Sequence, residues 1–299
     1  VIKKIDQIFE MIRKYKDKKV VSVAAAEDSE VLKAVHQAIE LELCDFILFG
    51  NKDKILQITQ ENQLDLSKVE IRNTKNDYES VVGAIESVAR GEANLPMKGR
   101  ITTAEILSTY LKEEYGLKSG KTMNLVCIFE IQNYPKLIIL SDAGMVISPT
   151  LEQKIDTINN AVAVAHILEN KEPKVAILGA LEQVNPKMPV TMEAAVLTQM
   201  NRRGQIKGCS IDGPFALDNA ISKKAAEHKG LVSSVAGDAD ILIVPDIEAG
   251  NILYKALVYF SGAKLACSVV GGKKPVILTS RADSSETKLN SIALSILLS

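Results

Sequence analysis

Apolar runs of strand length alternate along this chain with longer segments whose apolar residues recur at helical spacing. The strand-length runs lie at 19–24, 45–49, 68–72, 124–130, 136–140, 174–178, 206–211, 240–244, 264–269 and 275–279. Helical spacing is clearest over 28–42, where Val31, Leu32, Val35, Ala38 and Ile39 share a face with Leu43. Similar patterns fill 77–90, 102–114, 150–168, 190–201, 214–227, 249–260 and 284–298. Such alternation predicts βαβ units and mainly parallel, helix-covered sheets. The runs 124–130 and 136–140 break the rhythm. Asn133-Tyr134-Pro135 between them reads as a turn, so the pair is expected to form a hairpin that opens a second domain. No internal repeat, low-complexity tract or flexible linker interrupts the pattern.

Composition narrows the class without changing the fold. The 299 residues suit one large or two medium domains, with ample core. Hydrophobic residues make up 46% and aromatic residues 4%, with no Trp, so aliphatic side chains must build the interior. A formal net charge of -1 gives no global field for nucleic acid or an anionic membrane. The densest basic run, Arg13 to Lys19, reads as a solvated helix C-terminus, where cations complement the helix dipole. Cys44, Cys127, Cys209 and Cys267 are widely spaced and sit in or beside apolar runs. They read as core thiols of a reducing compartment, which makes the expected location cytoplasmic. No apolar run reaches the ~18 residues of a spanning helix. Val1-Ile2-Lys3-Lys4-Ile5-Asp6 reads as an amphipathic helix start rather than a signal peptide.

Chemistry gathers where the apolar runs stop. Ser141-Asp142-Ala143-Gly144, Asp212-Gly213-Pro214-Phe215, Asp246 to Asn251, and Ser280-Arg281-Ala282-Asp283 each follow a predicted strand. In open parallel sheets, ligands bind beyond the carboxyl ends of the strands. The same residue types also serve as ordinary turns and helix caps. Gly250 and Asn251 are read as preceding a helix that carries Lys255, with N–H groups free for phosphate. Lys98, Arg100, Thr102 and Thr103 form a second anion candidate. There Thr102 and Glu105 also fit a capping box. Ser148-Pro149-Thr150 reads as an N-cap with proline at the first helical position. Arg281 directly after an apolar strand needs a partner, and bidentate phosphate is its best match. Asp283, three residues before Glu286, fits either a helix cap or a catalytic acid. Gly271-Gly272-Lys273-Lys274 precedes a strand, not a helix, and reads as a turn. His36, His166 and His228 lack metal-ligand spacing, and no Gly-x-Ser-x-Gly elbow is present. Direct transfer between two bound substrates is therefore expected, with no metal.

Five segments together resemble the phosphate acetyl/butyryltransferase family, most closely its butyryl branch. They are Leu95 to Gly99, Ser141 to Pro149, Asp212 to Ala220, Asp246 to Lys255 and Thr279 to Ser284. The resemblance implies a two-domain α/β enzyme with three-layer αβα domains and an inter-domain cleft. It implies that the chain returns to its first domain, giving 1–122 plus 268–299 and 123–267. The implied reaction is butyryl-CoA + phosphate ⇌ butyryl phosphate + CoA. The implied substrates are acyl-CoA and phosphate, with no nicotinamide or other cofactor, in a homo-oligomer.

In that reaction a base takes the CoA thiol proton, because a free thiol has a pKa of about 8.5. The resemblance gives Arg281 the phosphoryl group and Ser280 the tetrahedral oxyanion. It leaves the base open between Asp283, Glu286 and an acid from another strand end, with Asp283 the first choice. Lys98 and Arg100 are the nearest counterparts of the family's basic residues for phosphate and CoA. Thr102, Thr103, Asp142, Asp246, Gly250, Asn251 and Lys255 complete the expected substrate contacts. Two other readings compete: a metal- and NAD-dependent hydroxyacid dehydrogenase of similar fold, and a non-catalytic sensor of CoA or acyl phosphate. The Ser280-Arg281-Ala282-Asp283 segment fits neither as well.

Overall fold

A computed structural model describes residues 1–14 and 17–299. Tyr15 and Lys16, inside the basic run Arg13 to Lys19, lie outside the described residues. The chain divides into two compact units. A flanking unit combines Ile5–Gly120 with Ala266–Ser299, and a central unit combines Val1–Lys4 with Lys121–Leu265. The first four residues thus differ from expectation. Ile2 donates its N–H to Leu168 O at 3.1 Å, which ties them to the central unit.

The flanking unit begins with α1 (Asp6–Ile12), β1 (Lys19–Ala24), α2 (Ser29–Glu40), β2 (Cys44–Gly50), α3 (Lys52–Glu61), β3 (Glu70–Asn73), α4 (Asp77–Ala89), β4 (Leu95–Lys98) and α5 (Thr103–Tyr110). Its strands order as β3-β2-β1-β4, all parallel, with Lys19 opposite Cys44 and Val21 opposite Leu95. Helices α2 to α5 each start at a short polar residue that satisfies an orphan N–H. Asp28 accepts from Val31, Asn51 from Lys54, Asn76 from Glu79 and Thr102 from Glu105. These caps lie just beyond the carboxyl ends of β1, β2, β3 and β4.

Two of these elements were not read from the sequence. β4 carries Pro96, which lacks an N–H and argues against a central strand. Here Pro96 needs only its carbonyl, which accepts from Ile277 at 2.9 Å. Helix α3 buries Ile55 alone, so it shows little helical periodicity.

The central unit contains β5 (Asn124–Glu130), β6 (Ile138–Ser141), α6 (Leu151–Ile167), β7 (Lys174–Leu178), α7 (Pro189–Arg202), β8 (Ser210–Phe215), α8 (Leu217–Ile221), α9 (Lys223–His228), β9 (Ile241–Ile243) and α10 (Ile247–Tyr259). β5 and β6 form the expected antiparallel hairpin, with Ile128 opposite Ile139. From β6 the order runs β9, β7, β8, all parallel.

Three boundaries depart from the pattern. Thr150 rather than Ser148 caps α6, and with Gln153 it closes a capping box. Residues 214–227 form two helices, because Ser222 leaves helical geometry and caps the second. Helix α10 starts at Ile247, capped by Asp246, so Gly250 and Asn251 lie within it.

The chain re-enters the flanking unit along β10 (Lys264–Val270) and ends with α11 (Ser285–Leu297). The apolar run 275–279 is not a full strand. It makes single bridges from Ile277 to Met97 and from Val276 to Val269. That short pairing places residues 277–280 beside the end of β4.

Candidate functional site

The flanking unit brings Lys98, Ser280, Arg281 and Asp283 together. Lys98 closes β4 and donates its backbone N–H to Ile277 O at 3.0 Å. Gly99 follows because no side chain fits: a Cβ there would stand 2.0 Å from Ala25 O. The Lys98 side chain is buried and donates to Ile101 O at 3.2 Å. Burial lowers its pKa, and the positive charges of Lys288 and Arg281 push the same way.

Residues 280–283 form a tight loop. The Ser280 N–H donates to Asp283 Oδ2 at 2.6 Å, and the Asp283 N–H donates to Ser280 O at 3.2 Å. Asp283 is buried, whereas Arg281 is exposed. The carboxylate of Asp283 does not cap α11. Ser284 does so, accepting from Thr287 N at 3.3 Å. The cap reading of Asp283 is therefore replaced: this acid closes the loop that carries Ser280.

Arg100 is placed differently from Lys98. Its guanidinium donates to Asp77 and lies 3.7 Å from Glu27 Oε2. Two carboxylates therefore hold it, while the described ion pairs include none for Lys98, Arg281 or Lys288. Thr102 makes the expected capping box, with its hydroxyl 2.7 Å from Glu105 Oε2. Hydrogen bonds from Thr102 hold the Glu105 carboxyl below its usual pKa, and Arg281 and Arg100 act in the same direction. Thr103 is the first residue of α5.

In the central unit, Asp142 is buried and spends its carboxylate on its own loop. It accepts from the N–H groups of Gly144 at 2.7 Å, Met145 at 3.1 Å and Val146 at 2.9 Å. Burial raises its pKa, against the pull of those three donors. Asp246 accepts from Ala249 N at 2.9 Å. The reading of Gly250 and Asn251 as free phosphate donors is corrected here. Gly250 N already donates to Asp246 O at 3.2 Å, and Asn251 Nδ2 reaches Ala143 O at 3.3 Å. The glycine serves close packing, since a Cβ there would lie 2.2 Å from Asp142 O. Lys255 holds its ammonium over the rings of Tyr254 and Tyr259, at 4.8 Å and 5.7 Å.

Sequence reasoning missed three groups. Lys288, buried in the first turn of α11, donates to Ser280 O at 3.0 Å and Asp283 O at 2.8 Å. Its signal was a lysine on the core face of a helix, four residues before Ile292. Glu27, the second carboxylate on Arg100, had no local pattern to mark it. Lys154 is buried in α6, where it pairs with Glu193 and donates to Pro245 O at 3.2 Å. Among the described residues, no group of three or more His, Cys, Asp or Glu side chains is placed to hold a metal ion. No helix among them is long and apolar enough to cross a membrane.

Comparison with known proteins identifies the family. The family profile described as phosphate acetyl/butaryl transferase matches residues 4–83 and 75–296. A phosphate acetyltransferase of Thermotoga maritima is 52% identical over 97% of this chain and 98% of its own length. A phosphate butyryltransferase of Clostridium acetobutylicum is 46% identical over 100% of this chain and 99% of its own. Among solved structures, a branched-chain phosphotransacylase from Enterococcus faecalis V583 superposes with a TM-score of 0.83 at 35% identity, covering 93% of this chain and 98% of that one. By its motifs, its fold and the extent of these matches, this chain belongs to the phosphate acetyl/butaryl transferase family.

Proposed function

We propose that this protein is a phosphate acyltransferase that moves a short acyl group reversibly between CoA and inorganic phosphate, with butyryl as the preferred group. One observation carries the reading. A buried, unpaired-by-carboxylate lysine (Lys98) ends a strand beside a hydrogen-bonded Ser280–Asp283 loop whose arginine faces solvent. A positive strand end of this kind suits a phosphoryl group, and the adjoining hydroxyl suits a developing oxyanion.

The roles are those the family resemblance implies, and the geometry supports them. Arg281 binds phosphate or the phosphoryl end of the acyl phosphate, with Lys98 adding charge from below. Ser280 donates to the carbonyl oxygen as it becomes tetrahedral, and one preorganised donor is worth about 3 kcal/mol. Asp283 is our choice for the group that accepts the CoA thiol proton, because its bond to Ser280 N fixes it within the same loop. CoA thiolate attacks the acyl carbonyl, the carbonyl–phosphate bond breaks, and phosphate leaves with its electron pair. The reverse reaction runs through the same intermediate. We assign Asp142, Asp246, Gly250 and Asn251 to the framework of their own loops rather than to substrate.

The acyl group is argued from the motif segments, which favour butyryl, against the acetyl name of the 52% relative. The test is release of CoA thiol from phosphate plus acetyl-, propionyl-, butyryl- and isobutyryl-CoA, with Arg281→Ala and Asp283→Asn in parallel. Butyryl-CoA should show the highest kcat/KM. An acetyl preference would refute the butyryl assignment, and no thiol release from any substrate would refute the acyltransferase. One methylene in an apolar pocket is worth about 1–3 kcal/mol, so the preference should be easy to read. Arg281→Ala should raise the phosphate KM or remove most of kcat. Asp283→Asn should remove most of kcat with the phosphate KM nearly unchanged, and a near-wild-type kcat would refute its role as the base.

A further inference from the structure

Lys288 lies where local physics argues against a lysine. It is the fourth residue of α11, within the first turn, where the helix dipole is positive and favours anions. It is 2% exposed, so its ammonium has lost nearly all contact with water. The described contacts of that ammonium are two main-chain carbonyls, Ser280 O at 3.0 Å and Asp283 O at 2.8 Å. A second buried lysine, Lys98, closes the adjacent strand, and its ammonium also rests on a carbonyl, Ile101 O. Two buried ammonium groups and the Arg281 guanidinium thus gather around one four-residue loop, against the carboxylate of Asp283 within it and that of Asp28 acting on Lys98. Residues that break local rules in this way are expected where function requires them.

The two carbonyls are the two ends of the loop. Ser280 N to Asp283 Oδ2 and Asp283 N to Ser280 O close it from inside. Lys288 closes it from below, through both terminal carbonyls. With its terminal carbonyls committed to the lysine, the loop leaves Arg281 exposed and Ser280 half-buried, the Ser280 hydroxyl accepting from Ala282 N at 3.4 Å.

We infer that Lys288 is a positioning residue for the phosphoryl subsite: its ammonium clamps the Ser280 and Asp283 carbonyls, presents Ser280 and Arg281 outward, and charges the floor beneath a bound phosphate. This rests on the acyltransferase reading for the identity of the anion. It adds a residue that touches no substrate and acts through the two that do. A purely structural lysine would lower stability and depress all kinetic constants together. A positioning lysine separates them, because its effect falls on phosphate.

The experiment is steady-state CoA thiol release from butyryl-CoA and phosphate by the wild type, Lys288→Met, Lys288→Gln and Ser295→Ala. Ser295 is a buried residue of the same helix, bonded to Ser268 at 2.9 Å, and serves as the control for lost stability. Lys288→Met should raise the phosphate KM by about tenfold or more, with the butyryl-CoA KM changed by less than about twofold. Lys288→Gln keeps a donor without the charge and should fall between. Ser295→Ala should leave the phosphate KM unchanged. An unchanged phosphate KM in Lys288→Met, or equal shifts in both KM values, would overturn the inference. If Lys288→Met does not fold, Lys288→Gln decides on the same two constants; failure of both to fold would mark a folding element and overturn it too. Absence of thiol release in the wild type would count against the acyltransferase reading instead. The inference would then be read from melting temperature, which inorganic phosphate should raise in the wild type and not in Lys288→Met.

Discussion

Lys98 is a buried charge whose cost depends on pH. In the folded protein burial lowers its pKa, so the unfolded chain holds its proton more tightly. Between the folded pKa and the ordinary 10.5, the unfolded state binds more protons, and stability rises with pH. The penalty is therefore full below the folded pKa and fades as pH climbs towards 10.5. Lys98→Met removes the titration. The melting temperature of the wild type should gain on that of Lys98→Met as pH is raised from 7 to 10, while the variant shows a higher phosphate KM. A melting difference that stays flat with pH would show that Lys98 carries no such penalty. Arg100 is not interchangeable with it. An exposed guanidinium held by Asp77 and Glu27 is neutralised locally, and such surface pairs contribute little to stability. The sequence placed both cations in one cluster around Gly99. It could not show that one points inward and the other is already paired, because both facts depend on residues more than twenty positions away.

Among the elements, α10 corrects the sequence reading most. A glycine followed by asparagine reads as a helix entrance, since both residues favour caps and turns. The entrance is Asp246, four residues earlier, and Gly250 stands in the first full turn. Helix propensity alone would make Gly250→Ala stabilising by about 1 kcal/mol. The added methyl would meet Asp142 O at 2.2 Å, and overpacking of that kind costs about 1–3 kcal/mol. Gly250→Ala should therefore lower the melting temperature, and an increase would mean that the 142–144 loop yields easily. Long, strongly periodic elements such as α2, α4 and α6 were legible because their apolar stripes repeat. β4 and α3 were not, because a proline in one and a single buried isoleucine in the other erase the pattern. The Ser280-Arg281 pair was legible from its place after an apolar run. Its support from Lys288 was hidden in a helix whose hydrophobic face was read only for its hydrophobic members.

At the scale of the whole molecule, the flanking unit is assembled from the two ends of the described chain. The Ser285 N–H donates to Glu30 at 2.9 Å, and Lys19 reaches Ser299 O at 3.3 Å, so helices and strands far apart in sequence share one core. Mainly parallel sheets follow from the βαβ rhythm, but the rhythm does not say which strands belong to which unit. That information lies in pairings such as Met97 with Ile277, across 180 positions. A fragment spanning residues 1–265 lacks α11 and the 276–277 bridges. Limited proteolysis of that fragment should cut within 5–120 and spare 121–265. Equal resistance in both regions would show that the first half folds without its return segment.

This split ancestry also sets a schedule. On the ribosome, the central unit is complete once residue 265 has emerged, whereas the flanking unit must wait for α11. At about 5–20 residues per second, the stretch after Gly120 keeps β1 to β4 without their last partners for on the order of ten seconds or more. During that interval the Ser280–Asp283 loop does not exist and the helix that covers α2 has not been made. The loop from Ser280 to Asp283 and the lysine of α11 that holds it are thus made after every strand of the flanking sheet, and no nascent chain can assemble that loop before α11 has emerged.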